Sequence, residues 1–228
     1  MRVLITGGAG YLGSVLVGLL LDKKYKVTVV DNLTYKQQSL TSYCYNNDFT
    51  FIKGDVRNIT TLVNLKEYDV IIPLAAIVGM PACDSDPELA TEINQEQIIT
   101  IVKNTSKNQQ LIIPNTNSQY GSSEDIITED SPFKPLSHYA KTKCFAEKAV
   151  LDSKRSGVAL RLATVFGLSP RMRLDLLVND FVYRAVTDKL LVLFQSSFKR
   201  NYIHVRDIAN TFLFVIENYD KCVGEPFN

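Results

Sequence analysis

The segment Thr6-Gly7-Gly8-Ala9-Gly10-Tyr11-Leu12-Gly13 lies between a short apolar run, Val3-Leu4-Ile5, and an apolar helical stretch, Ser14 to Leu21. The next apolar run, Lys26 to Val30, ends on an acid, Asp31, 24 residues after Gly7. Strand, glycine turn, helix, strand and acid in that order form the layout of a dinucleotide site. Gly7 lets the chain turn sharply, Gly10 lets backbone approach a pyrophosphate, and Gly13 lets helix and strand pack closely. The pyrophosphate belongs over the helix N-terminus, where free N–H groups and the positive dipole end point at it. A glycine triplet alone is a weak signal; the strand before it and the acid after it strengthen it.

Apolar runs recur at Arg2–Thr6, Lys26–Val30, Phe49–Lys53, Asp69–Pro73, Gln110–Pro114 and Gly157–Leu162. Helical patterns lie between them, the clearest at Tyr11–Leu21, Pro87–Lys103 and Ser137–Ser153. This alternation predicts an α/β fold, a doubly wound parallel sheet of Rossmann type with helices on both faces. Val, Ile and Leu fill the runs without alternation, as strands buried on both sides require. After about Ala163 the rhythm changes. Gly167-Leu168-Ser169-Pro170 breaks it and an Arg-rich turn follows. A helix over Leu174–Thr187, strands near Leu191–Phe194 and Asn201–His204, and a helix to about Asn218 are then predicted. The expected division is a nucleotide-binding domain over 1–165 and a partial substrate-binding region over 166–228.

With 228 residues and 46% apolar content, a sizeable core is available. The net charge of +1 gives no argument for nucleic acid or an anionic membrane surface as partner. Val15–Leu21, the longest apolar run near the start, is far too short to cross a bilayer. The chain opens directly on a strand rather than a leader, so a cytoplasmic protein is expected. Cys44, Cys83, Cys144 and Cys222 are scattered, which argues against a zinc site or disulfide framework. His138 and His204 are the only histidines, so no multi-histidine metal centre is expected.

A second motif carries chemistry. Tyr139 and Lys143 are four apart, so on a helix they share a face. A free tyrosine, with a pKa of about 10, is a poor base at neutral pH. A neighbouring ammonium and a bound NAD⁺ favour the phenolate and lower that value. The phenolate can then take a hydroxyl proton while hydride leaves the same carbon. Upstream, the run Leu111-Ile112-Ile113-Pro114 leads into Asn115-Thr116-Asn117-Ser118-Gln119-Tyr120-Gly121. Carboxyl ends of strands are where open α/β sheets place ligands. Thr116 there offers a hydroxyl to the substrate oxygen that loses its proton.

Together these stretches resemble the extended short-chain dehydrogenase/reductase family, in its nucleotide-sugar epimerase/dehydratase group. The matching segments are Thr6–Gly13, Asp31–Leu33, Gly54–Arg57, Leu74–Ala76, Thr116–Gly121, Glu129–Pro135, Tyr139–Lys143, Arg161–Gly167 and Arg200–Asp207. They run in order over nearly the whole chain. The resemblance implies a Rossmann domain with a small C-terminal sugar-nucleotide domain, NAD as cofactor, and a homodimer paired through the helices near Pro87–Lys103 and Ser137–Ser153. It implies that Gly7, Gly10, Tyr11, Leu12 and Gly13 hold the pyrophosphate, that Asp31 binds the adenosine ribose with Asn32 beside it, and that Asp55 and Val56 meet the adenine. A carboxylate at Asp31 favours NAD over NADP. Leu74, Ala75 and Ala76 line the cofactor. Thr116, Tyr139 and Lys143 resemble the Ser/Thr-Tyr-Lys catalytic set, with Tyr139 and Lys143 also touching the cofactor. Asn179 resembles a substrate contact and Arg200 a ligand of the substrate diphosphate, for which a guanidinium donates two parallel hydrogen bonds.

The departures are informative. Dehydratases of the family follow the catalytic threonine with an Asp-Glu pair; here Asn117 and Ser118 stand there, and neither is a strong general acid or base. Leu162-Ala163-Thr164 replaces the usual Tyr-Phe-Asn, and Arg200-Asn201 the usual Arg-Asp. Val78–Cys83, Pro114–Ser118 and Ser169–Phe181 are more narrowly similar to enzymes that oxidise GDP-manno-heptose at C4. That likeness puts Arg171 and Arg173 near a GDP-sugar. The chain also stops early for the family, at Phe227-Asn228. The expected activity is NAD-dependent oxidation at C4 of a nucleotide-activated sugar in surface-polysaccharide synthesis, as a 4-epimerase or a 4-dehydrogenase. A small-ketone reductase on the same fold, and a shortened NAD-binding protein without catalysis, are the other readings.

Overall fold

Strands form where the apolar runs lie. The computed structural model describes residues 1–122, 126–153 and 157–228. In chain order the strands are β1 (Arg2–Thr6), β2 (Lys26–Asp31), β3 (Phe49–Lys53), β4 (Val70–Pro73), β5 (Gln110–Thr116), β6 (Val158–Leu162), β7 (Thr164–Phe166), β8 (Tyr202–His204) and β9 (Pro226–Phe227). The α-helices are α1 (Tyr11–Asp22), α2 (Ile59–Leu62), α3 (Met80–Ser85), α4 (Pro87–Thr91), α5 (Gln97–Asn104), α6 (His138–Leu151), α7 (Leu177–Thr187), α8 (Val205–Glu217) and α9 (Tyr219–Cys222).

Among the described residues, seven strands form one parallel sheet in the order β3-β2-β1-β4-β5-β6-β9. β1 lies at the reversal, with Ile5 paired to Val29 of β2 on one side and to Ile72 of β4 on the other. Chain order runs outward from β1 to β3, then resumes at β4. The helices leaving β1 and β4 therefore diverge and leave a crevice at the carboxyl ends.

Both faces of the sheet are covered from β2 to β6, which explains why those runs lack alternation, while the edge strand β3 stays partly exposed. Val3, Ile5, Val70, Ile72 and Ile112 face a layer with Leu16 and Leu20 of α1 and Phe212 and Ile216 of α8. Leu4, Ile71, Leu111 and Ile113 face the other layer, with Ile59 of α2, Ile98 and Ile101 of α5, and Ala146 and Val150 of α6. Neighbouring residues of one strand thus reach opposite cores.

The predicted helix over Pro87–Lys103 is three pieces. Between α4 and α5, Glu92–Glu96 forms a wider, π-type turn. Its Asn94 is buried and clasps the Ile77 peptide, accepting from the N–H and donating to the carbonyl, both at 2.9 Å. The widened turn thereby fixes the chain leaving β4.

Two expectations are corrected. Leu191–Phe194 is not a strand: no described segment pairs with it, and its side chains are exposed. The helix predicted from Leu174 begins at Leu177, because Leu176 keeps extended backbone. α8 packs beside α1, and β9 joins β6 through Ala159 and Leu160. Residues 164–204 form the part outside the main sheet, held by the two-stranded pairing of β7 with β8. Among the described residues, no helix is long and apolar enough to cross a membrane.

Phe212 is completely buried in the layer shared with α1. Phe212→Ala is expected to lower stability by about 3–5 kcal/mol. Urea denaturation checks this: the midpoint falls while the slope is unchanged.

Candidate active site

The glycine turn folds as its spacing requires. Gly7 adopts a φ of +69°, and its N–H donates to the Val30 carbonyl at 2.8 Å. A Cβ on Gly7 would lie 2.5 Å from the Ala75 nitrogen, so the turn rests directly on the end of β4. A Cβ on Gly13 would lie 2.6 Å from the Gly8 Cα and 2.7 Å from the Gly7 oxygen, so α1 starts hard against the turn. α1 has no side-chain cap, which leaves its first N–H groups to an incoming group. Such a cradle fits a diphosphate.

Asp31 ends β2 beside this cradle. Its carboxylate accepts the Ala9 N–H at 3.0 Å and the Leu33 N–H at 2.8 Å. Burial raises its pKa, and these two N–H groups oppose the rise. Asn32 turns to Thr34, accepting its N–H at 3.0 Å. Gln37, missed in the sequence, donates to Asp31 at 3.4 Å, and its buried Oε1 has no partner among the described residues. Asp55 caps a short turn holding buried Val56 and pairs with Arg57, which pulls its carboxyl below the usual range. Leu74 donates its N–H to the Thr6 carbonyl at 2.9 Å, and the Ala75 N–H reaches Thr6 Oγ1 at 3.4 Å. Ala76 follows them, only part-buried.

Thr116, Tyr139 and Lys143 meet where β5 ends against the start of α6. Ser137 caps α6 by accepting the Ala140 N–H at 3.2 Å, which sets the helix phase. The Thr116 hydroxyl lies near enough to the Tyr139 hydroxyl to favour its phenolate. Lys143 is buried, and its Nζ donates to the Pro114 carbonyl at 2.7 Å. The protein groups around Tyr139 do not by themselves lower its pKa. Burial pushes it up to about 12, with the Cys83 thiol adding to the rise and Arg173 and Thr116 opposing it. Burial also pushes Lys143 down to about 8, with Glu147 opposing. The lysine ammonium is aimed at a backbone carbonyl, and Arg173 is the cation that favours the phenolate.

Around α7 the predicted substrate residues separate. Asn179 is buried: its Oδ1 accepts the Gly167 N–H at 2.9 Å, and its Nδ2 donates to the Arg173 carbonyl at 2.9 Å and the Tyr11 hydroxyl at 3.2 Å. The Tyr11 hydroxyl donates to the Gly167 carbonyl at 2.5 Å, and Ser169 Oγ donates to the Tyr11 carbonyl at 2.6 Å. Asn179 therefore ties the segment outside the sheet to Tyr11 of the glycine turn. Leu12, the next residue, is part-buried against the α1–α8 layer. Arg173 pairs with Asp175, and Arg171 lies over the Tyr35 ring at 4.5 Å. Arg200 is exposed on the segment leading into β8. Asn117, where dehydratases carry an acid, donates to Asn201 at 2.5 Å.

The sequence reading assigned no role to the residues behind Thr116. Glu147 and Arg161 form a buried ion pair at 2.6 Å, and Asn115 and Gln119 donate to the same carboxylate. The available signal was spacing: Glu147 follows Lys143 by four residues on the face of α6 that carries Tyr139.

A doubly wound sheet, a glycine cradle at its strand reversal, and a threonine–tyrosine–lysine cluster beside it define a nucleotide-cofactor oxidoreductase scaffold. The chain belongs to the NAD dependent epimerase/dehydratase family, which it matches over residues 3–228, and its cofactor is NAD. It is 29% identical to a Bacillus subtilis protein described as an uncharacterized UDP-glucose epimerase, covering all of this chain and 76% of that protein. It is 29% identical to a low-salt glycan biosynthesis protein of Haloferax volcanii, with the same coverage. The fold superposes on a UDP-glucuronic acid 4-epimerase of Bacillus cereus, solved with UDP-glucuronic acid and NAD. The TM-score is 0.85 at 26% identity, over 99% of this chain and 76% of that one.

Two outcomes follow. Gly13→Ala is expected to weaken NAD binding by about five- to a hundredfold, because about 1–3 kcal/mol of overpacking falls on the cradle; calorimetric titration with NAD measures it. Lys143 holds its proton less firmly in the folded protein than in the unfolded chain. Between pH 8 and the ordinary lysine pKa the unfolded chain therefore binds more protons, and this group makes stability rise with pH. In Lys143→Met that contribution, at most about 1.4 kcal/mol per pH unit, is absent. Denaturant titrations at pH 7.5 and 9.5 compare the two proteins.

Proposed function

We propose that this protein is an NAD-dependent nucleotide-sugar 4-epimerase that oxidises the sugar at C4 and reduces the ketone again from the opposite face. The observation that carries the reading is the docking of the start of α6, with Tyr139 and Lys143, on the end of β5 that carries Thr116, where Lys143 Nζ donates to the Pro114 carbonyl at 2.7 Å. Gly7, Gly10, Tyr11, Leu12 and Gly13 hold the cofactor diphosphate, and Asp31 with Asn32 takes the adenosine ribose. Asp55 and Val56 meet the adenine, and Leu74, Ala75 and Ala76 line the way to the nicotinamide. Bound NAD supplies a hydride acceptor that can return the hydride.

In this reading Tyr139 removes the proton from the C4 hydroxyl, and Thr116 holds that oxygen by a hydrogen bond. The developing phenolate is favoured by Arg173 and by the threonine hydroxyl, the two groups that already oppose burial at Tyr139. Lys143, anchored on Pro114, holds the nicotinamide ribose and supplies positive charge to the site. On return, the same tyrosine gives the proton back to the C4 oxygen. Asn117 and Ser118 leave water elimination without an acid and base.

Arg171, Arg173 and Arg200 are assigned to the substrate diphosphate and Asn179 to the wall beside it. UDP in the names of several relatives supports a uridine nucleotide over the GDP suggested by the manno-heptose likeness. A homodimer through α5 and α6 belongs to the same reading; Phe145 is an exposed apolar residue on α6.

Incubation with NAD and UDP-glucose, UDP-glucuronic acid or GDP-mannose, followed by chromatography of the nucleotide sugars, tests this. A C4 epimer of a UDP-sugar is expected. Tyr139→Phe is expected to cut turnover by about 10²–10⁴ with NAD affinity retained. Unchanged turnover in that variant would remove Tyr139 from the reaction. Accumulation of NADH in step with a keto-sugar would make the enzyme a 4-dehydrogenase, and conversion of the GDP-sugar alone would restore the guanosine reading.

A further inference from the structure

We propose that Glu147 is a positioning residue of the reacting set: its carboxylate is the counter-charge of the buried Lys143 ammonium and fixes the turn that carries Thr116. This rests on the reading of Thr116, Tyr139 and Lys143 given above. Glu147 lies one helical turn beyond Lys143 and two beyond Tyr139 on the same face of α6. β5, the turn after it and β6 each contribute a donor to its carboxylate. Arg161 of β6 brings Nε to within 3.1 and 3.2 Å of the two oxygens and Nη2 to 2.6 Å. Asn115 of β5 donates at 2.5 Å, and Gln119 of the following turn at 3.0 Å. On its own helix Glu147 faces Lys143 and Cys144.

Stability alone gives no reason for this arrangement. A buried ion pair is often matched or bettered by apolar residues of the same volume. The connections suggest what it does. Asn115 Nδ2 donates both to Glu147 and to the Lys143 carbonyl, the latter at 3.2 Å. The same amide accepts the Thr116 N–H through Oδ1 at 3.0 Å. The carboxylate thus reaches the backbone of Thr116 through one side chain. Arg161 carries the network outward, donating to the Tyr120 hydroxyl at 2.5 Å and the Glu129 carbonyl at 2.8 Å, with Phe133 packed under its plane.

Lys143 has little else to keep it charged. Its Nζ is paired with the Pro114 carbonyl, and burial pushes it down to about 8 with Glu147 as the opposing charge. Removing that charge lets the lysine lose its proton at lower pH and weakens the positive field of the site. It also frees Asn115 from its partner.

The test titrates Lys143 directly, by the ¹³Cε shift of lysine-labelled protein with Lys143→Arg assigning the signal. Glu147→Gln is expected to move the Lys143 midpoint down by about one pH unit or more, and Glu147→Asp to restore most of it. The alkaline limb of the turnover profile is expected to move with the midpoint. A midpoint in folded Glu147→Gln equal to the wild-type value overturns the inference. If Glu147→Gln does not fold, Arg161→Met takes its place. Freed from the guanidinium, the carboxylate acts on Lys143 more strongly and the midpoint rises; an unmoved midpoint again overturns the inference. The two readings fail separately. Wild-type protein without turnover on nucleotide sugars sinks the reaction, while the titration still reports on Glu147.

Discussion

The close approach of Gly7 to the backbone of Leu74 and Ala75 sets the geometry on which the rest of the site depends. A side chain at this position would occupy the space of the Ala75 peptide. Because it is absent, the turn leaving β1 settles onto the end of β4, and two strands that diverge in chain order share one rim. The glycine cradle, the acid at the end of β2 and the stretch after β4 all take their positions from that contact. Asp31 reinforces it by accepting the Ala9 N–H, so the end of β2 and the turn after β1 are tied as well.

Electrostatics at the site are governed first by burial. Tyr139 is pushed up and Lys143 down, so the fold drives both toward their neutral forms. The charges that oppose this come from different parts of the chain. Arg173 acts on the tyrosine from the segment outside the sheet, and Glu147 acts on the lysine from within α6. The reacting set is therefore tuned from two parts of the chain, by the segment that carries Arg173 and by the ionic core around Glu147.

The sheet was legible in the sequence because strands covered on both faces need apolar residues at every position, and few other environments do. Asp31 and the glycine turn were legible because backbone geometry and charge restrict the residue types there. Leu191–Phe194 misled because a run of β-forming residues specifies a strand only when a partner offers hydrogen bonds, and none of the described segments does. Asn179 was noticed for its position, yet its amide is taken up by Gly167, Arg173 and Tyr11, contacts between residues more than 150 positions apart in part. Glu147 was hidden for a similar reason. Its spacing from Lys143 is local, but Arg161, Asn115 and Gln119 converge on it from separate elements that only the folded sheet brings together.

The hydroxyl of Tyr11 lies between Gly167 and Asn179, on the first residue of the helix that forms the cofactor cradle. Displacing the segment outside the sheet by even an ångström breaks these hydrogen bonds at the cradle. Occupancy on the two sides of that hydroxyl is then thermodynamically linked. Whatever factor a ligand held by residues 167–179 applies to cofactor affinity, the cofactor applies to that ligand in equal measure.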